Sequence, residues 1–567
     1  MNVSLAFRPR LLDALRTYSR ADFRADLVAG LTVGIVALPL AMAFGIASGV
    51  TPAAGLYTAV VAGFLISALG GTKVCIGGPT GAFIAILYGI HQHYGPVNAA
   101  VCTMMAGVML VAMGWAKLGT LIKFIPFPVT MGFTSGIAVV ILSTQVKDFL
   151  GLQLPADAGE VPAEFVKKLV FLGRHIDATH GATLALAAGA FAIVRWWPAR
   201  LARVVPGSIV ALVAGTALVM GFHGDTAWGV ATIGTKFGGI PQGLPVLAWP
   251  EIHWLELPSL FRPALTIALL AAIESLLCAV VADGMVEDRH DSNQELVAQG
   301  IANIVSPLCG GIAATGAIAR TATNVKNGAR TPVAGVIHAA VLLLILFAAA
   351  PLAKHIPLAV LSAVLVNVAL NMGEWHHFAR LRKWPKSDVS VFLTAFALTI
   401  VVDLAVAVEF GILLSALTFI KRMADQTKVD ASFELSDEEL KAQSQTGREV
   451  PRGVMVYRLF GAFFFGAADK LETALMSAQQ LPEVLILRLR EVVAIDATGI
   501  NALEDMHEKL RKKGKHLILC GPHTQPLFAL DNAGFLDAVG RDNVCADMET
   551  SLARARELLA KPARQRS

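Results

Sequence analysis

Gly310-Gly311-Ile312-Ala313-Ala314-Thr315-Gly316-Ala317-Ile318-Ala319-Arg320 is a run of small residues ending in a fixed charge, with apolar sequence on both sides. A second stretch far upstream, Gly77-Gly78-Pro79-Thr80-Gly81-Ala82-Phe83, also opens on Gly-Gly and also carries Thr-Gly-Ala before a bulky apolar residue. The two Thr-Gly-Ala triplets lie 235 residues apart, and the same offset pairs Ala47-Ser48-Gly49 with Ala282-Asp283-Gly284 and Pro39 with Glu274. The Gly-Gly pairs fall out of step by two. This near-constant shift predicts an internal duplication. Interrupted apolar segments at matching places in two halves point to the binding site of a transporter.

Totals agree with a membrane setting. Of 567 residues, 55% are hydrophobic and 16% charged, where soluble domains carry about 25% charged residues. Mean hydropathy is +0.62. Apolar runs of about 18 residues or more recur, so most of the chain is expected in the bilayer. The net charge of +5 fits basic membrane-flanking loops rather than nucleic-acid binding. None of the cysteines (Cys75, Cys102, Cys278, Cys309, Cys520, Cys545) forms a C-x-x-C pair, so neither a disulfide framework nor a zinc site is expected. No Walker A, G-x-S-x-G or H-E-x-x-H pattern is present, which argues against ATP-driven transport within this chain and against those hydrolases. His91, His93, His376 and His377 read as exposed loop histidines, and no metal is expected.

Candidate spans fall at Leu27–Ser48, Ala53–Gly70, Thr80–Ile90, Ala99–Trp115, Val129–Leu150, Ala182–Val194 and Gly207–Gly221. The second half repeats the rhythm at Pro263–Gly284, Leu296–Leu308, Thr315–Val325, Pro332–Ala350, Pro357–Met372, Val389–Val406 and Val408–Lys421. The third and tenth are short. Seven spans per half is an odd number, so the halves run oppositely, as an inverted repeat. Arg8, Arg10, Arg16, Arg20 and Arg24 make the N-terminal segment basic. Lys117 and Lys123, then Arg195, Arg200 and Arg203, then Lys326 and Arg330, then Arg380, Arg382, Lys383 and Lys386 crowd the loops on the same side. The opposite loops are mixed: Gly151–His180 sets Asp157, Glu160 and Glu164 against Lys167, Lys168 and Arg174. This bias predicts a bacterial-type inner membrane protein with both termini cytoplasmic. The predicted organisation is an amphipathic lead-in (1–26), a transporter domain (27–424), a linker (425–452), an α/β domain (453–560) and a tail (561–567).

A helix that starts within the membrane presents its first N–H groups and a partial positive charge. Two such ends facing each other make an anion site from backbone alone. Thr80, Gly81, Ala82 and Phe83 at one tip, and Thr315, Gly316, Ala317, Ile318 and Ala319 at the other, are the expected pair. Close packing of helices through small residues is the competing account. An arginine at membrane depth costs at least about 2.5 kcal/mol, so Arg320 is assigned to the anion rather than to a backbone carbonyl. Glu274 sits mid-span and is the candidate group for coupling to a proton or to sodium. Asp283, Glu287 and Asp288 read as solvated. In the soluble module, Asp496-Ala497-Thr498-Gly499 stands between a strand and a helix. Asp496 or Thr498 would cap that helix, and Thr498 is the sharper candidate for regulation by phosphate.

At these residues the chain resembles the sulfate permease (SulP) family. The resemblance covers Ala37–Gly49, Gly77–Phe83 and Gly316–Arg330, and the C-terminal module is similar to a STAS domain, including the Asp496–Gly499 turn. It implies an α-helical polytopic fold of 14 spans as a 7+7 inverted repeat, with core and gate subdomains and a small α/β STAS domain. It also implies an anion site between spans three and ten, a homodimer and an elevator-like motion. Relatives carry sulfate, bicarbonate, dicarboxylates or halides, some with sodium or protons. Bicarbonate carriers of the family place an acid in span eight beside sodium. Glu274 matches that region, while Cys278 replaces a hydroxyl that would help hold sodium. The expectation is therefore a secondary transporter of a small oxyanion, nominally sulfate, in symport with H+ and alternatively with Na+, and not an enzyme. The other readings are a sodium–bicarbonate symporter, a dicarboxylate carrier and a membrane-anchored STAS signalling protein with a cytosolic partner. A nucleobase permease would place a second acid where Arg320 stands.

Overall fold

The computed structural model describes residues 7–120, 126–155, 161–162, 164–202, 205–243, 245–402, 404–426, 428–431, 450–464, 471 and 482–560. Lys123, Asp157, Glu160, Arg203, most of the expected linker and the tail 561–567 lie outside these residues. The chain divides into two units, Met1–Leu413 and Leu414–Ser567.

The first unit is helical. Its elements are α1 (Arg10–Arg16), α2 (Arg20–Ala47), α3 (Pro52–Leu69), β1 (Gly77–Gly78), α4 (Ile84–Trp115), α5 (Phe127–Leu150), α6 (Phe165–Arg174), α7 (Gly181–Trp196), α8 (Ala199–Ala202) and α9 (Gly207–Gly221). Then follow α10 (Ile233–Phe237), α11 (Leu257–Val286), α12 (Ser292–Leu308), β2 (Thr315–Gly316), α13 (Ile318–Lys326), α14 (Val333–Ala353), α15 (Leu358–Met372), α16 (His376–Arg380), α17 (Lys386–Val401) and α18 (Leu404–Gln426). Among the described residues, seven helices are long and apolar enough to cross a bilayer, and α7 and α9 are shorter apolar helices. Each predicted span overlaps a helix, although Thr315–Val325 opens on β2 and Val389–Val406 runs past the end of α17 into α18. The third and fourth are two helices that meet at Gly95 (φ 80°, ψ 172°), where the backbone is not helical, and Pro96, and α4 denotes the pair. Glycine takes the positive φ and proline removes an N–H, so the first helix ends there and the second begins. His91 and His93 sit on the first of the two helices and not in a loop.

Apolar side chains gain nothing by leaving lipid for protein, so close helix approach rests on small residues. A Cβ on Gly30 would lie 2.5 Å from the Ala334 carbonyl oxygen, and one on Gly34 would lie 2.8 Å from Val341, which locks α2 against α14. Gly107 and Gly300 do the same for α4 and α12, each placing a hypothetical Cβ 2.6 Å from the other's carbonyl oxygen. At its start α2 is held by buried Asp26, whose carboxylate accepts from Arg330 N (2.8 Å), Thr331 N (3.1 Å) and the Tyr18 hydroxyl (3.1 Å).

The second unit carries a five-stranded sheet of β3 (Lys428–Ala431), β4 (Val454–Phe463), β5 (Val484–Ile495), β6 (His516–Cys520) and β7 (Val544–Cys545), in that order. β3 is antiparallel to β4 and the others are parallel. Among the described residues four helices accompany it: α19 (Ala497–Lys512), α20 (Thr524–Asn532), α21 (Phe535–Val539) and α22 (Met548–Ala560). Alternate β5 residues face two cores, Leu485, Leu487 and Leu489 on one side and Val484 and Ile486 on the other. That is the pattern of a sheet covered on both faces. The expected linker is corrected here, because residues 428–431 form an edge strand of this sheet. Four residues with two charges carry too little apolar pattern to announce a strand.

Candidate functional site

The two interrupted stretches meet. β1 pairs antiparallel with β2, Gly77 opposite Gly316 and Gly78 opposite Thr315. Ala317 N donates to Ile76 O at 2.8 Å, extending the pairing by one bond. From this crossing Gly81–Phe83 forms a 3-10 turn into α4, and α13 begins at Ile318. Glycine fits this crossing without strain, because a Cβ on Gly316 would lie 3.0 Å from Cys75 Sγ and 3.2 Å from Cys278 Cβ, closer than ordinary contact.

Non-helical backbone inside a membrane needs partners for its polar groups. Here side chains of neighbouring helices supply them. Ile312 N donates to Thr58 Oγ1 of α3 at 2.7 Å, and Ser306 Oγ of α12 donates to Ile312 O at 2.7 Å. Buried Asn303 of α12 pairs both ways with Ala314, accepting its N–H and donating to its carbonyl, each at 2.9 Å. Ser275 of α11 accepts from Gly316 N at 3.2 Å and lies 2.6 Å from the Thr315 hydroxyl. On the β1 side, Ile76 N donates to Thr321 Oγ1 at 2.9 Å, and Asn324 Nδ2 donates to Val74 O at 2.9 Å. Fully buried Glu295 of α12 accepts from Gly71 N at 2.9 Å. At the surface end of this segment Asp288 lies 3.0 Å from Lys73. Burial pushes the Asp288 carboxyl up, but Lys73, the Arg289 N–H and Arg10 outweigh it and hold the carboxyl below the usual range.

Arg320 reaches from α13 across to the other tip. It is 3% exposed, and its Nη2 donates to Pro79 O. Nη1 lies over Gly78, where a Cβ would stand 2.6 Å away, and has no hydrogen-bond partner among the described residues. Thr80 Oγ1 is likewise buried and unpartnered. Gly81 and Ala82 N–H at one tip, and Ile318 and Ala319 N–H at the other, make no backbone bond among the described residues. Ile318 and Ala319 are exposed. Facing Gly81, a Cβ would meet Ile141 of α5 at 3.0 Å, Phe44 of α2 at 3.5 Å and Met372 of α15 at 3.7 Å. The result is two facing helix starts with a fixed cation between them, bordered by apolar side chains of α2, α5 and α15.

Glu274 is 8% exposed, one residue before the Ser275 that touches the crossing, and makes no hydrogen bond or ion pair to a described residue. Cys278, one turn on, lies 3.5 Å from Cys75 Sγ and 3.2 Å from Thr321 Oγ1. Asp283 is not simply solvated as expected, since it accepts from His290 Nδ1 at 2.7 Å. In the second unit Asp496 accepts from Gly499 N at 2.8 Å, so the aspartate caps α19 and Thr498 stays exposed on its first turn. Among the described residues, Glu374, His376 and His377 gather within ligand range of one another and could hold a metal. His376 is exposed as expected but lies on α16 and not in a loop, and His377 on the same helix is half-buried, its ring 5.5 Å from Phe127.

The sequence reading named both tips, Arg320 and Glu274, and the structure brings the tips and Arg320 together, with Glu274 one residue from Ser275. It did not name Thr58, Ser275, Glu295, Asn303, Thr321 or His338, the last fully buried with neither ring nitrogen bonded among the described residues. Their shared signal is a polar side chain within an apolar run.

Comparison with known proteins covers nearly the whole chain. The profile of the sulfate permease family matches residues 23–395, and that of the STAS domain matches residues 447–553. YvdB of Bacillus subtilis, a protein named for sulfate transport, is 41% identical over 499 residues, 88% of this chain and 91% of that protein. The bicarbonate transporter BicA of Synechocystis is 32% identical over 510 residues, 88% of each. The solved transmembrane domain of a cyanobacterial BicA superposes with a TM-score of 0.62 at 34% identity, over 68% of this chain and 97% of that one. The murine anion transporter Slc26a9 in its inward-facing state shares the fold, with a TM-score of 0.85 at 19% identity over 97% and 94%.

Proposed function

The chain belongs to the sulfate permease family of membrane transporters, and from there we propose that it is a secondary active transporter of a small inorganic oxyanion, nominally sulfate, in symport with protons. One observation carries this reading. At the crossing of β1 and β2, Arg320 Nη1 and Thr80 Oγ1 are buried and unpartnered among the described residues. A buried unmet donor costs about 1–3 kcal/mol, and an anion accepting from it recovers that cost. Sulfate offers several acceptor oxygens to Arg320, Thr80 and the N–H groups of Gly81, Ala82, Ile318 and Ala319, and the helix starts favour its charge. The relatives named above are themselves named for sulfate and bicarbonate. Phe83, Thr315, Gly316 and Ala317 shape the two tips.

Glu274 is the proposed coupling group. It sits beside the crossing without a cation among the described residues, and its charge is balanced there by a proton. Cys278 and Cys75 argue against sodium, because thiols are poor ligands for a hard cation. The antiparallel tips and the matched short spans support an inverted repeat. The basic loops support a bacterial-type inner membrane location with cytoplasmic termini, and the family supports a homodimer. The exposed Thr498 hydroxyl at a helix start suits phosphate control through a cytosolic partner of the STAS domain.

The test is uptake of labelled sulfate, bicarbonate, succinate and chloride into proteoliposomes under an imposed proton gradient, with sodium replaced by choline. Sulfate should accumulate with the gradient and without sodium. Accumulation that needs sodium, or a preference for bicarbonate or succinate, overturns the coupling or the substrate. Deleting residues 453–567 should leave sulfate binding in place, and a signalling protein with an anchor would show none.

A further inference from the structure

Where α2 gives way to α3, the transmembrane unit holds a cavity of about 390 Å³. Lys147 and Asp148 of α5, Lys168 of α6, Lys236 of α10, and Tyr88 and Gln92 of α4 line it. Three lysines thus face one aspartate, and Lys236 engages that aspartate at 3.6 Å. Lys168 differs from its neighbour. Lys167 is well exposed and lies 2.8 Å from Glu164, whereas Lys168 is 3% exposed with no carboxylate and no hydrogen bond among the described residues. Its ammonium stands 5.3 Å from the Tyr88 ring, and the Tyr88 hydroxyl is tied to Val161 O at 3.3 Å. A ring contact is worth about 0.5–2 kcal/mol, while burying an unpaired ion costs several. Burial pulls the Lys168 ammonium down to about 8. The amphipathic α6 could have turned this lysine outward as it does Lys167, so its inward setting asks for an anionic partner.

The cavity and the helix tips border the same two helices. Phe44 of α2 and Ile141 of α5 are what a Cβ on Gly81 would approach, and Ile46 of α2 and Ser143 of α5 line the cavity. We propose that this cavity is a second, separate anion site with Lys168 as its charge, where a sulfate-sized oxyanion pauses between water and the helix tips. The proposal rests on the anion-transport reading for its place on a path, but not for the binding itself.

The test is competitive acylation of the full chain by limiting acetic anhydride near neutral pH, with sulfate against gluconate at equal ionic strength, read by mass spectrometry at Lys168 and Lys167. Bound sulfate should slow Lys168 severalfold and leave Lys167 unchanged. Protection should persist in Arg320→Gln, which separates this site from the helix tips. It should fade as pH rises through about 8, because the ammonium that holds sulfate is lost there. The other groups facing the cavity, Lys147, Asp148, Lys236, Tyr88 and Gln92, are present in both arms. In uptake, Lys168→Gln should raise half-saturating sulfate roughly threefold to fivefold, the scale of one partly screened charge pair, with Lys168→Arg close to wild type. Equal acylation with sulfate, bicarbonate, chloride and gluconate overturns the site and leaves Lys168 a structural contact of Tyr88. Protection lost in Arg320→Gln, or half-saturation unchanged in Lys168→Gln, overturns it too.

Discussion

Replacing Arg320 by glutamine removes the fixed cation from between the helix tips and frees Pro79 O, the acceptor of its Nη2. Nη1, unpartnered among the described residues, is the group left to meet a ligand. A hydrogen bond to a charged group is worth about 1.5–3 kcal/mol. At about 1.4 kcal/mol per decade, sulfate affinity should fall roughly tenfold to a hundredfold. Lysine keeps the charge but has no planar fork, so it cannot serve Pro79 O and the ligand together. Arg320→Lys should therefore lose about tenfold, near the low end of that range. Calorimetric titration of purified protein with sulfate gives the affinity, and the melting temperature without sulfate reports whether the tips remain assembled. If Arg320→Gln melts normally and binds sulfate within about twofold of wild type, Arg320 is a structural clamp and the assignment is wrong.

Glu274→Gln should still exchange sulfate across a vesicle but no longer concentrate it under a proton gradient, and accumulation at the wild-type level would remove Glu274 from coupling. Asn303→Ala leaves the Ala314 N–H and carbonyl without partners in the interior, and thermal unfolding should show a loss of about 2–5 kcal/mol from two unmet groups. Gly316→Ala forces a methyl against Cys75 and Cys278 and should cost about 1–3 kcal/mol by the same assay, with sulfate affinity falling as the tips part. The Asp288 carboxyl lies below its unfolded value, so its share of stability is present near neutrality and is lost as pH falls through the depressed value. Asp288→Asn should flatten acid unfolding curves in that range, and unchanged curves would show that the Lys73 pairing contributes nothing.

Span positions were legible because membrane helices need long apolar runs, and both tips because glycine, proline and threonine interrupt such runs twice at one spacing. Arg320 stood out for its charge. That its two terminal nitrogens would split, one on Pro79 O and one unpartnered, depends on where a segment 241 residues away crosses, which no local pattern carries. Asn303, Ser275 and Thr58 were passed over because each is a single polar residue among apolar ones, and their worth lies in which backbone group they face. The break between the third and fourth spans was legible because Gly95-Pro96 ends one helix and starts another. β3 was hidden by its brevity and charge.

Beyond its bonds to the third-span stretch, the tenth-span tip is hydrogen-bonded to α3, α11 and α12, whereas Gly81 faces α5 and α15 only through Ile141 and Met372. One side of the paired tips is therefore riveted and the other is greased. Sliding the riveted block past α5 and α15 would break dispersion contacts, each near 0.1–0.2 kcal/mol, and none of the polar bonds that keep the tips together. A shape that can shift as a whole while its binding geometry stays intact follows directly from where the asparagine, serine and threonine side chains were placed.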